Sequence, residues 1–238
     1  MGLVFPGAPK DLVQFLSEKF RIKYFVETGT YYGFTAVWAS DVFSKVYTIE
    51  RSEIIYKKTS ERYSEKKNIT FILGDSREKI KKVLNEIDDS AVFWLDAHFS
   101  GGETAGKGES APIFEEINII KSSKYPHFIL IDDARLFLAP PPDPHPIGEY
   151  PTILELLKCI GEDQYYTIIY NDVIVCIPEE CKEETLEFSK KEITYSYYKY
   201  VDEKKGLQKK KEKREAFFNW KITRILKRTK NIISKLIS

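Results

Sequence analysis

Between residues 23 and 132 the chain alternates short, almost continuously apolar runs with longer amphipathic segments. The apolar runs predict five strands, at residues 23–27, 45–50, 68–74, 91–96 and 127–132, and the amphipathic segments predict helices at residues 10–20, 34–43, 53–66, 76–87 and 112–122. Apolar runs without polar alternation are typical of parallel strands that are covered on both faces. This order of elements predicts an α/β fold with a doubly wound, mostly parallel sheet.

The pattern changes after residue 138. A proline-rich stretch at residues 139–151 precedes a helical segment at 152–161, and two more apolar runs, at 165–170 and 173–177, flank Asn171 and Asp172. An Asn-Asp pair has turn chemistry, so the last two strands are predicted to form an antiparallel hairpin.

Composition limits the class of protein. The 238 residues suit one large domain with an appendage, and a hydrophobic fraction of 42% excludes a wholly disordered or collagen-like chain. Cys159, Cys176 and Cys181 are too few and too irregular for a disulfide framework or a four-thiolate zinc site, which favours a reducing cytoplasm. Because no run approaches ~18 apolar residues and the N-terminus lacks a signal pattern, we expect neither a membrane span nor secretion.

The net charge of +1 conceals an uneven distribution. Residues 204–238 contain 13 Lys or Arg and two acids, a net charge of +11, whereas residues 1–203 carry 24 basic and 34 acidic side chains, a net charge of −10. We therefore divide the chain into a helical lead-in at residues 1–22, a main domain at 23–200 and a basic tail at 201–238. Apolar residues of this tail approximate one stripe of a helix: Phe218, Ile222, Ile225, Ile232, Ile233 and Leu236.

A C-terminal basic amphipathic helix of this kind is suited to an anionic membrane surface. Packing against the chain's own body or a second subunit, and binding to RNA phosphates, remain alternatives. The predicted location is cytoplasmic, with the tail peripheral on the inner face of the membrane, and a homo-oligomer stays open.

Acidic residues close the predicted parallel strands, and they are Glu27, Glu50, Asp75, Asp96, Asp132 and Asp133. In doubly wound sheets, ligands bind beyond the carboxyl ends of the strands, near the point where strand order reverses. Clustered carboxylates repel one another unless a cation or hydrogen-bond donors compensate. A cationic ligand, a metal ion or both are therefore expected at this edge.

The first strand leads into an E-x-G-x-x-x-G-x-T turn that opens a helix, residues 27–35. Gly29 permits a tight turn and close approach of a ligand, and Gly33 lets the start of the helix pack near the strand. Glu50 suits a bidentate acceptor for two ribose hydroxyls, and Asp75 is placed to meet an adenine amino group.

These motifs resemble the class I S-adenosylmethionine-dependent methyltransferases from Tyr24 through Ile177. The resemblance implies a seven-stranded, Rossmann-like sheet with a reversed last strand. Glu27 and Gly29 match the first glycine-rich motif of that class, Glu50 its ribose-binding acid, and Asp75 its adenine-side acid. The candidate S-adenosylmethionine-binding residues are thus Glu27, Thr28, Gly29, Tyr31, Gly33, Thr35, Glu50, Asp75, Ser76 and Asp96.

A second constellation follows the fourth and fifth strands. Adjacent parallel strands lie ~4.8 Å apart, so Asp96 and the pair Asp132 and Asp133 would emerge side by side. Three carboxylates form an oxygen-rich site that suits a divalent cation such as Mg²⁺ better than zinc. The alternative is that Asp132 or Asp133 caps the following segment. Arg135 could bind an acidic substrate group, although pairing with a neighbouring carboxylate is slightly favoured.

This second constellation is similar to the metal-dependent sugar O-methyltransferases of the macrocin type, with D-G-D after the fourth strand and D-D after the fifth. The resemblance assigns Asp96, Asp132 and Asp133 as metal ligands. His98 takes the place of the family's candidate base, and a neutral imidazole can accept a hydroxyl proton near pH 7. A hydrogen-bonded spacer role for His98 is equally open. The surrounding W-L-D-A-H-F-S-G-G and I-L-I-D-D-A-R-L-F also resemble uncharacterised bacterial methyltransferase-like proteins found among polysaccharide genes.

The predicted function is therefore a metal-assisted O-methyltransferase that acts on a sugar hydroxyl of a polysaccharide or glycolipid, with Asp96 and His98 as catalytic residues. The cation would lower the pKa of the acceptor hydroxyl and His98 would take its proton. A glycine-rich loop at residues 100–110 and a proline-rich loop at 139–146 flank this site, as a lid and a wall or as solvent-exposed loops. The alternatives are an RNA methyltransferase and a non-catalytic membrane-associated binding module.

Overall fold

The computed structural model describes residues 7–96, 112–140, 148, 150–161 and 164–237, and only the backbone of 216 and 219–237. The chain divides into two compact units, Met1–Phe188 and Ser189–Ser238. The domain boundaries drawn from the sequence, after residues 22 and 200, stay predictions.

The first unit contains a seven-stranded sheet. Its strands are β1 (Tyr24–Thr28), β2 (Lys45–Glu50), β3 (Ile69–Leu73), β4 (Ala91–Leu95), β5 (Phe128–Ile131), β6 (Tyr165–Tyr170) and β7 (Val173–Pro178). They lie in the order β3-β2-β1-β4-β5-β7-β6, and all pairs from β3 to β5 are parallel. β7 is antiparallel to both β5 and β6. The predicted doubly wound sheet with a reversed last strand is confirmed, and so is the final hairpin.

Eight α-helices are described. They are α1 (Lys10–Phe20), α2 (Phe34–Ala39), α3 (Glu53–Arg62), α4 (Ser76–Glu86), α5 (Ile113–Lys121), α6 (Ala134–Leu138), α7 (Ile153–Ile160) and α8 (Lys182–Ile237). Two are shorter than predicted by four residues, since α2 and α3 end at Ala39 and Arg62 rather than at residues 43 and 66, and α4, α5 and α7 are shorter by one or two residues. α6 and the early start of α8 were not predicted.

Helices cover both faces of the sheet, and alternate residues of each strand point to opposite faces. Val26 faces a core that includes residues of α4, α5 and α7, whereas its neighbour Phe25 faces a core formed with α1 and α2. This two-sided burial explains why the strands read as continuous apolar runs.

The strand order reverses between β1 and β4. The chain lays β2 and β3 on one side of β1 and then crosses to β4 and β5 on the other. In folds with such a reversal the connections on its two sides diverge, and ligands bind in a crevice at the carboxyl ends of these strands. The acidic residues at these ends therefore lie where this crevice is expected.

The second unit is helical throughout its described length, as part of α8. The predicted C-terminal helix is confirmed. In the parts of the chain that the structure describes, no helix combines the length and apolar character needed to cross a membrane.

Candidate functional site

The turn after β1 has a backbone that few residues can adopt. Gly29, Tyr31 and Gly33 have φ angles of 85°, 44° and 75°. A Cβ at residue 33 would lie 3.0 Å from the Tyr63 ring, so both the backbone angle and the close approach require glycine there. The Gly29 amide donates to the Ile49 carbonyl at 2.9 Å, which ties the turn to the end of β2.

Glu50 is held at the end of β2 by backbone donors. Its Oε2 accepts from the Tyr31 amide at 3.1 Å and its Oε1 accepts from the Ser52 amide at 2.8 Å. Each carboxylate oxygen can accept a second hydrogen bond, so both remain able to take a ligand hydroxyl. This geometry fits the predicted acceptor for two ribose hydroxyls.

Glu27 lies within β1 and is bound by hydroxyl groups of the neighbouring strand and turn. It is 2% exposed, and its Oε2 accepts from the Thr48 hydroxyl at 2.6 Å. The Thr48 hydroxyl also lies 2.6 Å from that of Thr30 in the turn, and Thr35 hydrogen-bonds to Glu27. Burial raises the pKa of Glu27 to about 8. Glu27 therefore supports the turn through these hydroxyl groups, and its predicted cofactor contact stays a prediction.

The ends of β1 and β4 meet at Thr28 and Asp96. The Asp96 amide donates to the Thr28 carbonyl at 3.2 Å, and the Asp96 charge contributes to the raised pKa of Glu27. The buried Thr28 hydroxyl has no hydrogen-bond partner within the described part of the chain. An acid and an unsatisfied hydroxyl thus lie at the crevice where strand order reverses.

Asp75 is already engaged with Arg77. It caps α4 by accepting from the Arg77 amide at 3.0 Å, and the guanidinium donates to Oδ1 at 2.9 Å and to Oδ2 at 2.6 Å. Arg77 lowers the pKa of Asp75 through these bonds. The predicted contact with an adenine amino group stays a prediction, and Arg77 competes for the same oxygens.

Ser76, the first residue of α4, hydrogen-bonds to Glu116 of α5. Glu116 is 1% exposed, burial raises its pKa to about 8, and its Oε1 has no hydrogen-bond partner among the described residues. The buried acid Glu116 is therefore linked by a hydrogen bond to Ser76, next to the predicted adenine-side residue Asp75.

The residues after β5 form an ion-pair group. The Asp132 amide donates to the Leu95 carbonyl at 3.1 Å, which holds this residue against the end of β4. Asp133 has a φ of 58° and accepts from Arg135 at 2.7 Å. Arg135 also pairs with Asp172 of the final hairpin, so the favoured reading of Arg135 as a partner of carboxylates is confirmed. Asp133 occupies the N-cap position of α6 but makes no side-chain capping bond.

The three aspartates are not gathered into a ready metal site. Across the described ranges, no group of three or more His, Cys, Asp or Glu side chains could hold a metal ion. Asp133 faces a guanidinium, whereas Asp96 and Asp132 follow neighbouring strands. Mg²⁺ is often held by one or two carboxylates with waters, so these two fit such an ion better than all three.

The charge argument for a cation is also weaker than the sequence suggested. Burial favours the protonated form of Glu27, backbone amides hold Glu50, and arginines pair with Asp75 and Asp133. These four acids are thus compensated within the chain, and the Asp132 Oδ1 also accepts from the Asp133 amide at 2.8 Å. Repulsion among them does not by itself require a metal ion, and the expected cationic ligand, metal ion or both at this edge stays a prediction.

Solved structures with this architecture include three O-methyltransferases. TomG of Streptomyces achromogenes, involved in tomaymycin synthesis and bound to S-adenosylmethionine, aligns with a TM-score of 0.51 and 15% identity over 74% of this chain and 82% of its own. A putative caffeoyl-CoA O-methyltransferase of Staphylococcus aureus aligns at 0.50 and 15% over 74% and 86%. An enzyme of Bacillus cereus, bound to S-adenosylhomocysteine, aligns at 0.50 and 14% over 71% and 81%.

The chain has the fold of the class I S-adenosylmethionine-dependent methyltransferases. No family model matches it, and no curated protein matches it. At 14–15% identity the class I likeness establishes the fold. The finer resemblance to the macrocin-type sugar enzymes stays a prediction.

Two residues that support this class I crevice were missed in the sequence, although each leaves a signal. Thr48 is a hydroxyl inside the apolar run of β2, and Glu116 falls on the stripe of α5 that also contains Ile113, Ile117 and Ile120. A polar residue on a buried face needs a partner. Both positions could have been identified from the helical and strand periods alone.

Several sequence predictions for the class I site fall outside the described residues. They are the catalytic role of His98, the glycine-rich loop at 100–110, most of the loop at 139–146, and His145. His127, expected to be structural, is fully buried, and its Nδ1 accepts from the Ala91 amide at 3.0 Å.

Proposed function

We propose that this protein is an S-adenosylmethionine-dependent O-methyltransferase that acts on a sugar hydroxyl in polysaccharide or glycolipid synthesis. The observation that carries the proposal is the Glu50 carboxylate, which two backbone amides fix beside the positive-φ turn of β1. A fixed acceptor with a free lone pair on each oxygen suits the vicinal hydroxyls of a ribose. The two relatives solved with S-adenosylmethionine or S-adenosylhomocysteine support the same cofactor here.

The reaction would take place at the end of β4. The cofactor supplies a methyl group on a positively charged sulfur. Asp96, at the reversal of strand order, provides a negative charge that favours a cationic ligand in the crevice. The residues around it position the acceptor oxygen and exclude water, which is the main protein contribution to a direct displacement. His98, two residues further along the chain, remains the proposed base for the hydroxyl proton.

A sugar acceptor is supported by an aromatic patch beside the turn. Tyr31, Tyr32 and Phe34 are 48%, 53% and 64% exposed, and the first two rings lie 4.1 Å apart between centroids. Aromatic side chains commonly line binding sites together with a few polar groups that orient the ligand. The faces of these rings could pack against the C–H faces of a sugar.

We also propose that Asp96 and Asp132 hold a divalent cation, with Mg²⁺ as the first candidate. Such an ion would lower the pKa of an acceptor hydroxyl bound to it. Asp133 joins this pair only if Arg135 releases it, so two carboxylates rather than three form the proposed ligand set.

The decisive assay is transfer of a labelled methyl group from S-adenosylmethionine to a panel of glycans and nucleotide sugars, with added Mg²⁺ or with a chelator. We expect transfer to a hydroxyl that Mg²⁺ stimulates. Asp132→Asn should lower the stimulated turnover by about 100-fold or more while leaving cofactor affinity within a few-fold. Asp41→Asn is the matched control because Asp41 lies on the surface and pairs with Lys66.

Each part of the proposal fails separately. Turnover that neither chelator nor Asp132→Asn changes would refute the metal while keeping the methyltransferase. Transfer to RNA but to no sugar would refute the acceptor class. A protein that binds neither S-adenosylmethionine nor S-adenosylhomocysteine in calorimetry would refute the enzyme and favour a binding module.

A further inference from the structure

The C-terminal part of α8 carries positive charge without negative charge. α8 continues to Ile237, and from residue 216 to the end the chain has six Lys or Arg and no Asp or Glu. A basic run at residues 204–214 precedes it. A helix with this charge attracts an anionic partner over a distance of about one Debye length.

The same segment has one apolar side. Successive positions on an α-helix are about 100° apart. Phe217, Trp220 and Ile237 fall elsewhere on the helix, but the other seven large apolar positions share an arc of about 120°. They are Phe218, Ile222, Ile225, Leu226, Ile232, Ile233 and Leu236. The basic positions fall outside this arc, and they are Lys221, Arg224, Lys227, Arg228, Lys230 and Lys235. The partner must therefore have a surface on which negative charge and an apolar region lie side by side along the length of the helix.

A second copy of the helix does not meet both requirements. Apolar positions recur with heptad spacing at 218, 222, 225, 232 and 236, but Thr229 interrupts them and the repeat covers fewer than three heptads. The flanking positions 221, 228 and 235 are all basic, and residues 216–238 contain no acid to pair with them. Two such helices would repel each other along their whole seam.

An anionic phospholipid surface meets both requirements. Its headgroups neutralise the basic residues, and the boundary of its acyl chains accepts the apolar arc. A helix that crossed the bilayer would instead bury six cationic residues in hydrocarbon. An RNA partner would satisfy the charge but leave the apolar arc in water.

We propose that residues 216–237 bind along the surface of a membrane that contains anionic phospholipid. The apolar arc lies at the acyl boundary, and the basic run at 204–214 adds electrostatic attraction. This arrangement would bring the methyltransferase-fold unit to the inner face of the membrane. The inference is independent of the proposed reaction, since it depends only on this helix.

The test is sedimentation of the full-length protein with vesicles of neutral phosphatidylcholine or of phosphatidylcholine with 30% phosphatidylglycerol. Ile222→Asn with Ile233→Asn alters the apolar arc. Thr223→Asn with Ser234→Asn is the matched control, because it places the same amides at the neighbouring positions outside that arc. Lys227→Gln with Arg228→Gln removes two positive charges and keeps the arc.

We expect binding to the anionic vesicles. The isoleucine pair should lower it by about tenfold or more, and the control pair by less than about twofold. Each Lys or Arg near an anionic surface contributes about fivefold, so the charge pair should lower binding by about 25-fold. Circular dichroism of each variant establishes that helix content is unchanged.

Five results would overturn the proposal. The first three are an absence of binding to anionic vesicles, equal losses in the two asparagine pairs, and a smaller mass in light scattering for the isoleucine pair, which would indicate a second copy as the partner. The fourth is a lower melting temperature for that pair without an effect on vesicles, which would indicate packing against the chain's own body. Binding to RNA alone, unchanged in the isoleucine pair, would likewise replace the membrane with a nucleic acid.

Discussion

The buried carboxyl group of Glu116 should make the free energy of unfolding depend on pH. A single substitution, Glu116→Gln, tests this. The side chain is almost fully buried on α5, where Ser76 hydrogen-bonds to it and Oε1 has no partner in the described part of the chain. Burial raises its pKa from 4.5 to about 8. Glu116→Gln keeps an oxygen that can accept from Ser76 and removes the group that titrates.

The sign and size follow from proton linkage. Between pH 4.5 and 8 the folded protein holds a proton on Glu116 that the unfolded chain has released, so the free energy of unfolding falls as pH rises. The slope is about 1.36 kcal/mol per pH unit. From pH 5 to 7.5 the titration removes about 3 kcal/mol from the wild-type protein and nothing from the glutamine variant.

The measurement is urea unfolding followed by circular dichroism at pH 5, 6, 7 and 7.5. The stability of Glu116→Gln relative to the wild type should increase by about 3 kcal/mol across this range. Glu115→Gln makes the same chemical change at the preceding residue, which is exposed, and should keep most of the wild-type pH dependence, because burial is the largest cause of the raised pKa of Glu116. Glu27 and His127 also titrate with perturbed pKa values, but their contributions cancel in the difference between proteins. A difference that stays constant with pH, or that favours the wild type at pH 7.5, would refute the buried-acid account.

Two further predictions concern the crevice. Glu50→Ala should weaken S-adenosylmethionine binding by about 100-fold in calorimetry, because it removes the proposed acceptor for both ribose hydroxyls. The exposed Glu53→Gln should change it less than twofold, and equal effects would remove Glu50 from the site. Gly33→Ala should lower the free energy of unfolding by about 1–3 kcal/mol, since it combines a positive φ with a contact at Tyr63. Gly206→Ala, in a helix with open space around it, should instead raise helix content, and a loss of stability there would contradict the reasoning.

The strands were predictable because one physical signal dominates them. Because the sheet is buried on both faces, each strand is an apolar run that ends where the chain becomes exposed to solvent. The bounds of β2 and β6 agree with the prediction at every residue. The reversed β7 followed from the Asn171-Asp172 turn, where both residues have positive φ.

Helix ends were less predictable, because the apolar period continues past them. After α2 the chain forms a turn in which Phe43 donates to the Ala39 carbonyl, and Phe43 is still buried. Its position therefore satisfies the helical pattern although the residue lies outside the helix. After α3 the residues are polar and contain no glycine or proline to mark the end.

The charge state of the crevice was the least predictable part, although a short-range signal for it exists. Asp75 and Asp133 each have an arginine two residues later, and both arginines pair with the acid before them. None of the other four acids at these strand ends has an arginine at that spacing. An aspartate followed in this way at the start of a helix is therefore expected to be neutralised by its own chain.

The arginine at this spacing distinguishes Asp75 and Asp133 from Glu50, Asp96 and Asp132, the three acids that we propose act on a ligand. Glu50 is held by backbone amides that leave lone pairs available, and Asp96 and Asp132 follow neighbouring strands without an arginine two residues on. These three acids lie on both sides of the reversal between β1 and β4, where a class I fold binds its ligand. The chemistry of the crevice should therefore depend on these three carboxylates, and substitution of Asp133 should affect stability more than turnover.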